Sequence, residues 1–332
     1  MTNKLVGLAL GAVVAWLIAG NRDRRCGDGD LQTYFLGLDK DIRLGRFEEN
    51  ASLRDKRDLL ISELHDTLPR EYTWQWFPQG SYAIDTGIRP LDKDYDIDIG
   101  VVFDGNIHLK TDPVALKEVV CAALSRGNRR VQIRRPCVTV YYLHDGVVDY
   151  HVDLAIYAKR LNEDALYLAM GRQHSSKELR VWSEQDPQGL VEAIKGRFSS
   201  EGAKQFRRCV RYLKTWRNTQ FKQGGAPTSI ALTSAAYHWF DPVYFDTWVS
   251  KPDDARALAK LVDRIQRKLI SNPRIELPVS PRNDLLERMT SKQISSFLAK
   301  LAELHAVLQD VIALPSDEQA SAYDQLDRAF RS

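Results

Sequence analysis

The chain has 332 residues, 44% of them hydrophobic, which suits one large packed domain or two intimate lobes and excludes a disordered polymer. Its 47 basic and 44 acidic residues leave a formal net charge of +3, which excludes a protein that coats nucleic acid through bulk positive charge. Four widely separated cysteines, Cys26, Cys121, Cys137 and Cys209, exclude a disulfide scaffold and a paired-cysteine zinc site, and read as free thiols of a reducing cytosol.

At the N-terminus, Leu5–Gly20 is uncharged and apolar, and is followed by Arg22, Arg24 and Arg25. The run is shorter than the roughly 20 residues that span a bilayer comfortably, and the basic cluster behind it favours a cytoplasmic side. The expectation is a short membrane contact by residues 5–20 that tethers a cytoplasmic domain to the inner membrane. A disordered or artefactual extension and a cleaved signal peptide are the alternatives. The Gly- and Asp-rich stretch "CGDGD" closes this segment, residues 1–30, as a linker.

From Leu31 the apolar residues recur at helical spacing, with Asn50 and Ser52 as candidate caps of a helix that runs to Leu68 and stops at Pro69. "YTWQWF" reads as a short aromatic strand, and Gly80–Ser81 as the turn after it. An acidic strand follows, then an amphipathic helix over Pro113–Arg126, broken at Gly127 and Asn128. "RVQIRRPCVTVYYL" and "VVDYHVDLAIYA" read as two strands joined by a turn at His144–Gly146. The interval Lys159–Gln188 is polar and reads as irregular, and beyond Leu190 the pattern is helical, interrupted by "GGAPTS" at Gly224–Ser229 and by a loop around Asn272–Pro281. Strands in the first half and helices in the second imply an α+β protein, with a mixed sheet docked on a helical C-terminal lobe.

The informative stretch is "QGSYAIDTGIRPLDKDYDIDIGVVF". Side chains of a strand alternate between its faces, so Asp96 and Asp98 project together while Ile97, Ile99 and Val101 enter a core. Two carboxylates so placed repel unless protons or cations neutralise them. Divalent magnesium takes one or two carboxylates together with substrate phosphates, and a pair of such ions roughly 3.5–4 Å apart clamps a phosphoryl displacement. A third carboxylate is available at Asp153, alone among apolar residues on a second strand, and it is the candidate general base. His151 and Asp149 share its parity, and His151 reads as a strand residue rather than a magnesium ligand. Asp92 and Asp94 read as solvated turn residues. Gly80 permits close backbone approach to a phosphate, and Ser81 adds a hydroxyl. The tryptophans, including Trp74, Trp76, Trp182 and Trp216, read as core or lobe-interface residues, with Tyr82 a candidate for stacking a base.

These residues resemble the nucleotidyltransferases of the polymerase-beta-like fold, whose pattern is a Gly-Ser turn, a D-x-D strand and a third acid on a neighbouring strand. Within that superfamily the stretch is similar to the bacterial cGAS-like enzymes, the CD-NTases of CBASS systems. The resemblance implies Gly80 and Ser81 at a triphosphate and Asp96, Asp98 and Asp153 on two Mg2+ ions, with Mn2+ as the alternative. "QFRRCVRYLKTWRNTQFKQGGAPTSIAL" resembles the spine helix and turn of the dinucleotide-cyclising branch, which implies Lys214 and Ser229 at the donor triphosphate, Thr228 being the alternative hydroxyl. The basic residues of that helix, Lys204, Arg207, Arg208, Arg211 and Lys214, read as counter-charge to polyphosphate. The likeness spans Leu31–Leu308 and implies a catalytic lobe over residues 31–195 and a helical lobe over 196–332.

What it implies for function is template-independent synthesis of a cyclic di- or oligonucleotide messenger from nucleoside triphosphates, ATP and GTP foremost, in anti-phage defence. The messenger would act on a downstream effector, and no stable nucleic-acid partner is expected. Linear oligonucleotide synthesis, nucleotide transfer to RNA or protein, and a non-catalytic nucleotide-binding module are the alternatives.

Overall fold

A computed structural model describes residues 31–44, 48–90, 95–104, 111–126, 129–144, 147–159, 165–246, 248, 251–315 and 318–331. Two helices, α1 (Leu31–Ile42) and α2 (Glu48–Thr67), precede β1 (Trp74–Pro78), the single helical turn α3 (Gly80–Ala83) and β2 (Tyr95–Phe103). Helix α4 (Pro113–Leu124) leads to β3 (Arg129–Ile133), β4 (Val138–His144), β5 (Val147–Lys159), β6 (Leu166–Met170) and β7 (Val181–Gln185). The remainder is α5 (Pro187–Gly196), α6 (Ser200–Gln220), α7 (Ser229–Trp239), the small ribbon β8 (Tyr244–Asp246) and β9 (Lys251–Pro252), then α8 (Asp254–Ser271), α9 (Ser291–Ala313) and α10 (Gln319–Phe330).

The main sheet runs β1-β2-β5-β4-β3, with β6 on β5 and β7 on β6. Only β2 and β5 pair in parallel among the described strands, so the sheet is mixed. Strand β5 is long enough to serve two neighbours along one edge: β4 pairs it through Leu154, and β6 takes over from Tyr157. Alternation then sorts the faces. Ile97, Ile99 and Val101 of β2 and Val152, Leu154 and Ile156 of β5 form the sheet core with Leu60, Leu64, Val120 and Leu124 of α2 and α4. The opposite face keeps the residues of the other parity.

A second core gathers around α6, whose Phe206, Cys209, Val210, Leu213 and Trp216 are buried with residues of α7, α8, α9 and α10. Helix α1, although first in the chain, sends Phe35 and Leu38 into this core. Its buried Arg208 and Tyr212 are paired: Arg208 donates to both oxygens of Asp254 at 2.6 and 2.8 Å, and the Tyr212 hydroxyl donates to Phe35 O at 2.7 Å. The Arg208 and Asp254 side chains are 9% and 0% exposed, so removing one leaves an uncompensated buried charge. Arg208→Ala is therefore expected to destabilise the protein by roughly 3–5 kcal/mol, read as a lowered midpoint in urea unfolding.

Several expectations need correction. Asn50 and Ser52 lie inside α2, which starts at Glu48, and are not its caps. The run "RVQIRRPCVTVYYL" is two strands, because Arg134 N–H donates to Cys137 O at 2.9 Å and turns the chain around Pro136, which has no N–H for a ladder. The interval expected to be irregular contains β6 and β7, each of only five residues and half-exposed, too short for alternation to announce them. A β8–β9 ribbon also interrupts the helical half. The membrane tether is withdrawn: among the described residues no helix is long and apolar enough to cross a membrane, and Leu5–Gly20 lies outside them. Of the cysteines, Cys137 and Cys209 are buried free thiols and Cys121 is a partly exposed one, while Cys26 lies outside the described residues.

Candidate functional site

The β2–β5 register brings the acids together. Asp96 is opposite His151 and Asp98 is opposite Asp153, and all four belong to the face turned away from the sheet core. Asp96 Oδ1 lies 3.1 Å from His151 Nε2. Asp153 is held by the adjacent strand β4, where the fully buried Thr139 donates its hydroxyl to Asp153 Oδ1 at 2.5 Å. Burial, then the neighbouring Asp96 and Asp153 carboxylates, push the Asp98 carboxyl up to about 8. Burial also holds Asp153 above the ordinary carboxylate range, with the Thr139 hydrogen bond working against it.

The turn after β1 is built around Asp98. Gln79 N–H donates to Asp98 O at 3.2 Å, and the Tyr157 hydroxyl donates to Gln79 Oε1 at 3.1 Å. Gly80 then adopts φ +66°, and a Cβ there would overlap the Asp98 carboxylate. Only glycine lets the turn come this close to the acid.

Helix α6 closes the site from the other side. Lys214 Nζ donates to Thr86 O and Thr86 Oγ1, both at 3.0 Å, and one turn earlier Arg211 donates to Asp85 O at 2.6 Å and to Asp39 Oδ1 at 2.6 Å. The two cations thus clasp the segment that follows α3. Burial, reinforced by Arg217 and Arg211, lowers the Lys214 ammonium to about 7, while Asp98 opposes that shift.

A cavity of about 540 Å³ is lined by Gly80, Ser81, Asp96, Asp98, Lys214 and Ser229, drawn from both halves of the molecule. Asp153, the seventh residue picked from the sequence, stands beside them as the register partner of Asp98. Ser229 is the first residue of α7, whereas Thr228 is the cap, its hydroxyl accepting from Ala231 N–H at 3.3 Å. The hydroxyl at the cavity is therefore that of Ser229.

The basic helix face is divided differently from the expectation. Arg208 is committed to Asp254, Arg211 to Asp39 and Lys204 to Glu201. Lys214 is joined at the cavity by Arg217, three residues further on the same helix face and not singled out in the sequence. Thr86 and Thr139 also carried no sequence signal, because a lone threonine becomes informative only when its partner is known. Trp216 is buried in the helical core, Trp74, Trp76 and Trp182 pack against the sheet core, and Tyr82 does the same. Asp92 and Asp94 lie outside the described residues.

The donor set fits divalent cations. Asp96, His151 and Asp153 each offer a ligand atom within 4.8 Å of the other two. Asp98, half-buried near these two carboxylates and outside that ligand set, is a further acid whose charge a cation would offset.

Residues 75–157 match the family described as cyclic GMP-AMP synthase DncV-like, nucleotidyltransferase domain. The fold as a whole is similar to that of Vibrio cholerae DncV cyclic AMP-GMP synthase, a prokaryotic cGAS homolog, at 18% identity and a TM-score of 0.71, over 90% of this chain and 95% of that one. It is similar also to the Bradyrhizobium diazoefficiens CD-NTase CdnG solved with GTP, at 17% identity and a TM-score of 0.68, over 89% and 96% of the two chains. At these identities the structures speak for the fold, α+β with a helical C-terminal part, and the family match speaks for the domain. Residues 75–157 thus match a DncV-like nucleotidyltransferase domain, and the resemblance to the bacterial cGAS-like CD-NTases that the acidic strand suggests is borne out.

Proposed function

We propose that this protein is a template-independent nucleotidyltransferase that joins nucleoside triphosphates, ATP and GTP foremost, into a cyclic di- or oligonucleotide. The observation that supports this best is the β2–β5 register, which sets Asp96, Asp98 and Asp153 on one face beside a cavity shared with the Gly80 turn and Lys214. The solved relatives point the same way: DncV has been captured with the linear intermediate 5′ pppA(3′,5′)pG, and CdnG with GTP. A messenger role in anti-phage defence is part of the proposal, and rests on the CD-NTase resemblance of the sequence.

In this reading Asp96, Asp98 and Asp153 hold divalent ions, Mg2+ or Mn2+, which when bound supply Lewis-acid stabilisation of phosphoryl charge and lower the pKa of an attacking hydroxyl. The rest is done by the chain. Gly80 lets a triphosphate approach the backbone closely, and Ser81 and Ser229 donate hydroxyls to its oxygens. Lys214 and Arg217 bring counter-charge from α6. Asp153, held by Thr139 in one rotamer, accepts the proton of the acceptor 3′-hydroxyl as that oxygen attacks the donor α-phosphate and pyrophosphate leaves. The catalytic gain comes mainly from positioning and preorganised charge.

Lys214 has two of its three donors on Thr86, and its ammonium is lowered by burial and by the nearby Arg217 and Arg211, a shift that further negative charges would reverse. A bound triphosphate supplies them and restores the full charge. Lys214→Met is expected to raise the apparent KM for the donor nucleotide roughly 10–100-fold with a smaller change in kcat, read in steady-state kinetics.

Labelled ATP, GTP, CTP and UTP, incubated with the protein and Mg2+ and then treated with phosphatase, test the function. A phosphatase-resistant product carrying label supports cyclic synthesis, and mass spectrometry gives its composition. A linear product, or label attached to RNA or protein, would replace cyclisation with transfer. Unchanged triphosphates would leave a nucleotide-binding module.

A further inference from the structure

One polar side chain on the acidic face has no part in the mechanism above. His151 belongs to the same face of β5 as Asp153 and is the register partner of Asp96. Its Nε2 lies 3.1 Å from Asp96 Oδ1, and its side chain is 13% exposed against 45% for Asp96. Together with Asp153, these residues offer one nitrogen and two oxygen ligand atoms, all within 4.8 Å of one another. Donors around a six-coordinate ion with bonds of about 2.1 Å lie roughly 3 Å apart when adjacent and about 4.2 Å apart when opposite. Modest rotamer changes suffice to seat all three on one ion, and Thr139 already fixes the Asp153 carboxylate.

We infer that His151 supplies a nitrogen ligand to one of the divalent ions of this site and thereby biases it toward Mn2+ over Mg2+. The inference rests on the metal reading proposed above and adds to it a residue that the sequence alone assigns to the strand. Mg2+ keeps to oxygen donors and sheds its waters reluctantly. Transition ions accept imidazole, and in this site the ring replaces one oxygen of an otherwise carboxylate and water set. The competing role for His151 is that of a counter-charge to Asp96, which would keep the ring out of the coordination sphere.

The full chain labelled with 15N-histidine and loaded with one equivalent of Mn2+ separates the two roles by electron spin-echo envelope modulation. Nitrogen coupling of the strength given by one directly bound imidazole is expected. His151→Gln should lose that coupling and weaken Mn2+ binding on the order of tenfold, while changing Mg2+ binding less than about threefold. Bound Mn2+ without imidazole coupling in the wild-type protein overturns the role of His151 and leaves the carboxylate site standing. Failure of the wild-type protein to bind Mn2+ at all overturns both. Should the variant misfold, the wild-type spectrum alone decides.

Discussion

Asp98→Asn is expected to lower nucleotidyl transfer on the order of a thousandfold or more, while the metal-free protein at pH 8 becomes as stable as wild type or more so. The two outcomes share one cause. Burial and the adjacent Asp96 and Asp153 push Asp98 up to about 8, so between the ordinary carboxylate range and that value the folded protein holds a proton that the unfolded chain has lost. Asp98's contribution to wild-type stability in a chelator therefore falls as pH rises through this window, by at most about 1.4 kcal/mol per pH unit, and levels off above it. Asparagine keeps the shape and has no charge to bury, so the variant should lose Asp98's share of the slope and keep the shares of the raised Asp153 and the lowered Lys214. Thermal melting between pH 5 and 9 with and without Mg2+ reads it directly. Mg2+ should raise the wild-type midpoint most at high pH and raise that of Asp98→Asn less, since Asp96 and Asp153 remain in the variant. A wild-type rate in this variant would remove Asp98 from the chemistry.

Gly80→Ala is the second large effect. The residue has φ +66°, where a non-glycine side chain costs about 1–2 kcal/mol. Its new methyl group would also overlap the Asp98 carboxylate. Relief requires Asp98 to swing away or the turn to lift, and either displaces a group that must be set to within a fraction of an ångström. A misplacement of about 1 Å can cost on the order of a hundredfold in rate, so kcat should fall by about that much, alongside a destabilisation of about 1–3 kcal/mol. Gly37→Ala in α1 is the control: a Cβ there meets nothing within 4 Å, and it should leave turnover unchanged.

How much of this was legible in the sequence follows from the range of the signals. Strand alternation is local, so the pairing of Asp96 with Asp98 on one face, and the apolar character of the other face, could be read directly. Gly80 and Ser81 were legible for the same reason, because a Gly-Ser turn a fixed distance before D-x-D is covalently tied to it. Asp153 was picked out by its apolar neighbours, but its register partner was not, because strand pairing between β2 and β5 spans more than 50 residues of chain. His151 gains meaning only from that register, and Thr139 only from the β4–β5 register that sets it opposite Asp153. The basic face of α6 misled in part, since Arg208 and Arg211 look like surface cations until Asp254 and Asp39 are seen to receive them. Helix α1 shows the same limit. Nothing in its amphipathic pattern says that Phe35 packs against the helical half rather than the sheet beside which it sits in sequence.

The most direct test of the central claim is anomalous diffraction from crystals grown with Mn2+ and a non-hydrolysable ATP analogue. The account predicts manganese peaks against the carboxylates of Asp96, Asp98 and Asp153, with the triphosphate running past Gly80 and Ser81 toward Lys214. Manganese bound away from these three carboxylates, or a triphosphate lying outside the cavity they share with α6, would contradict it.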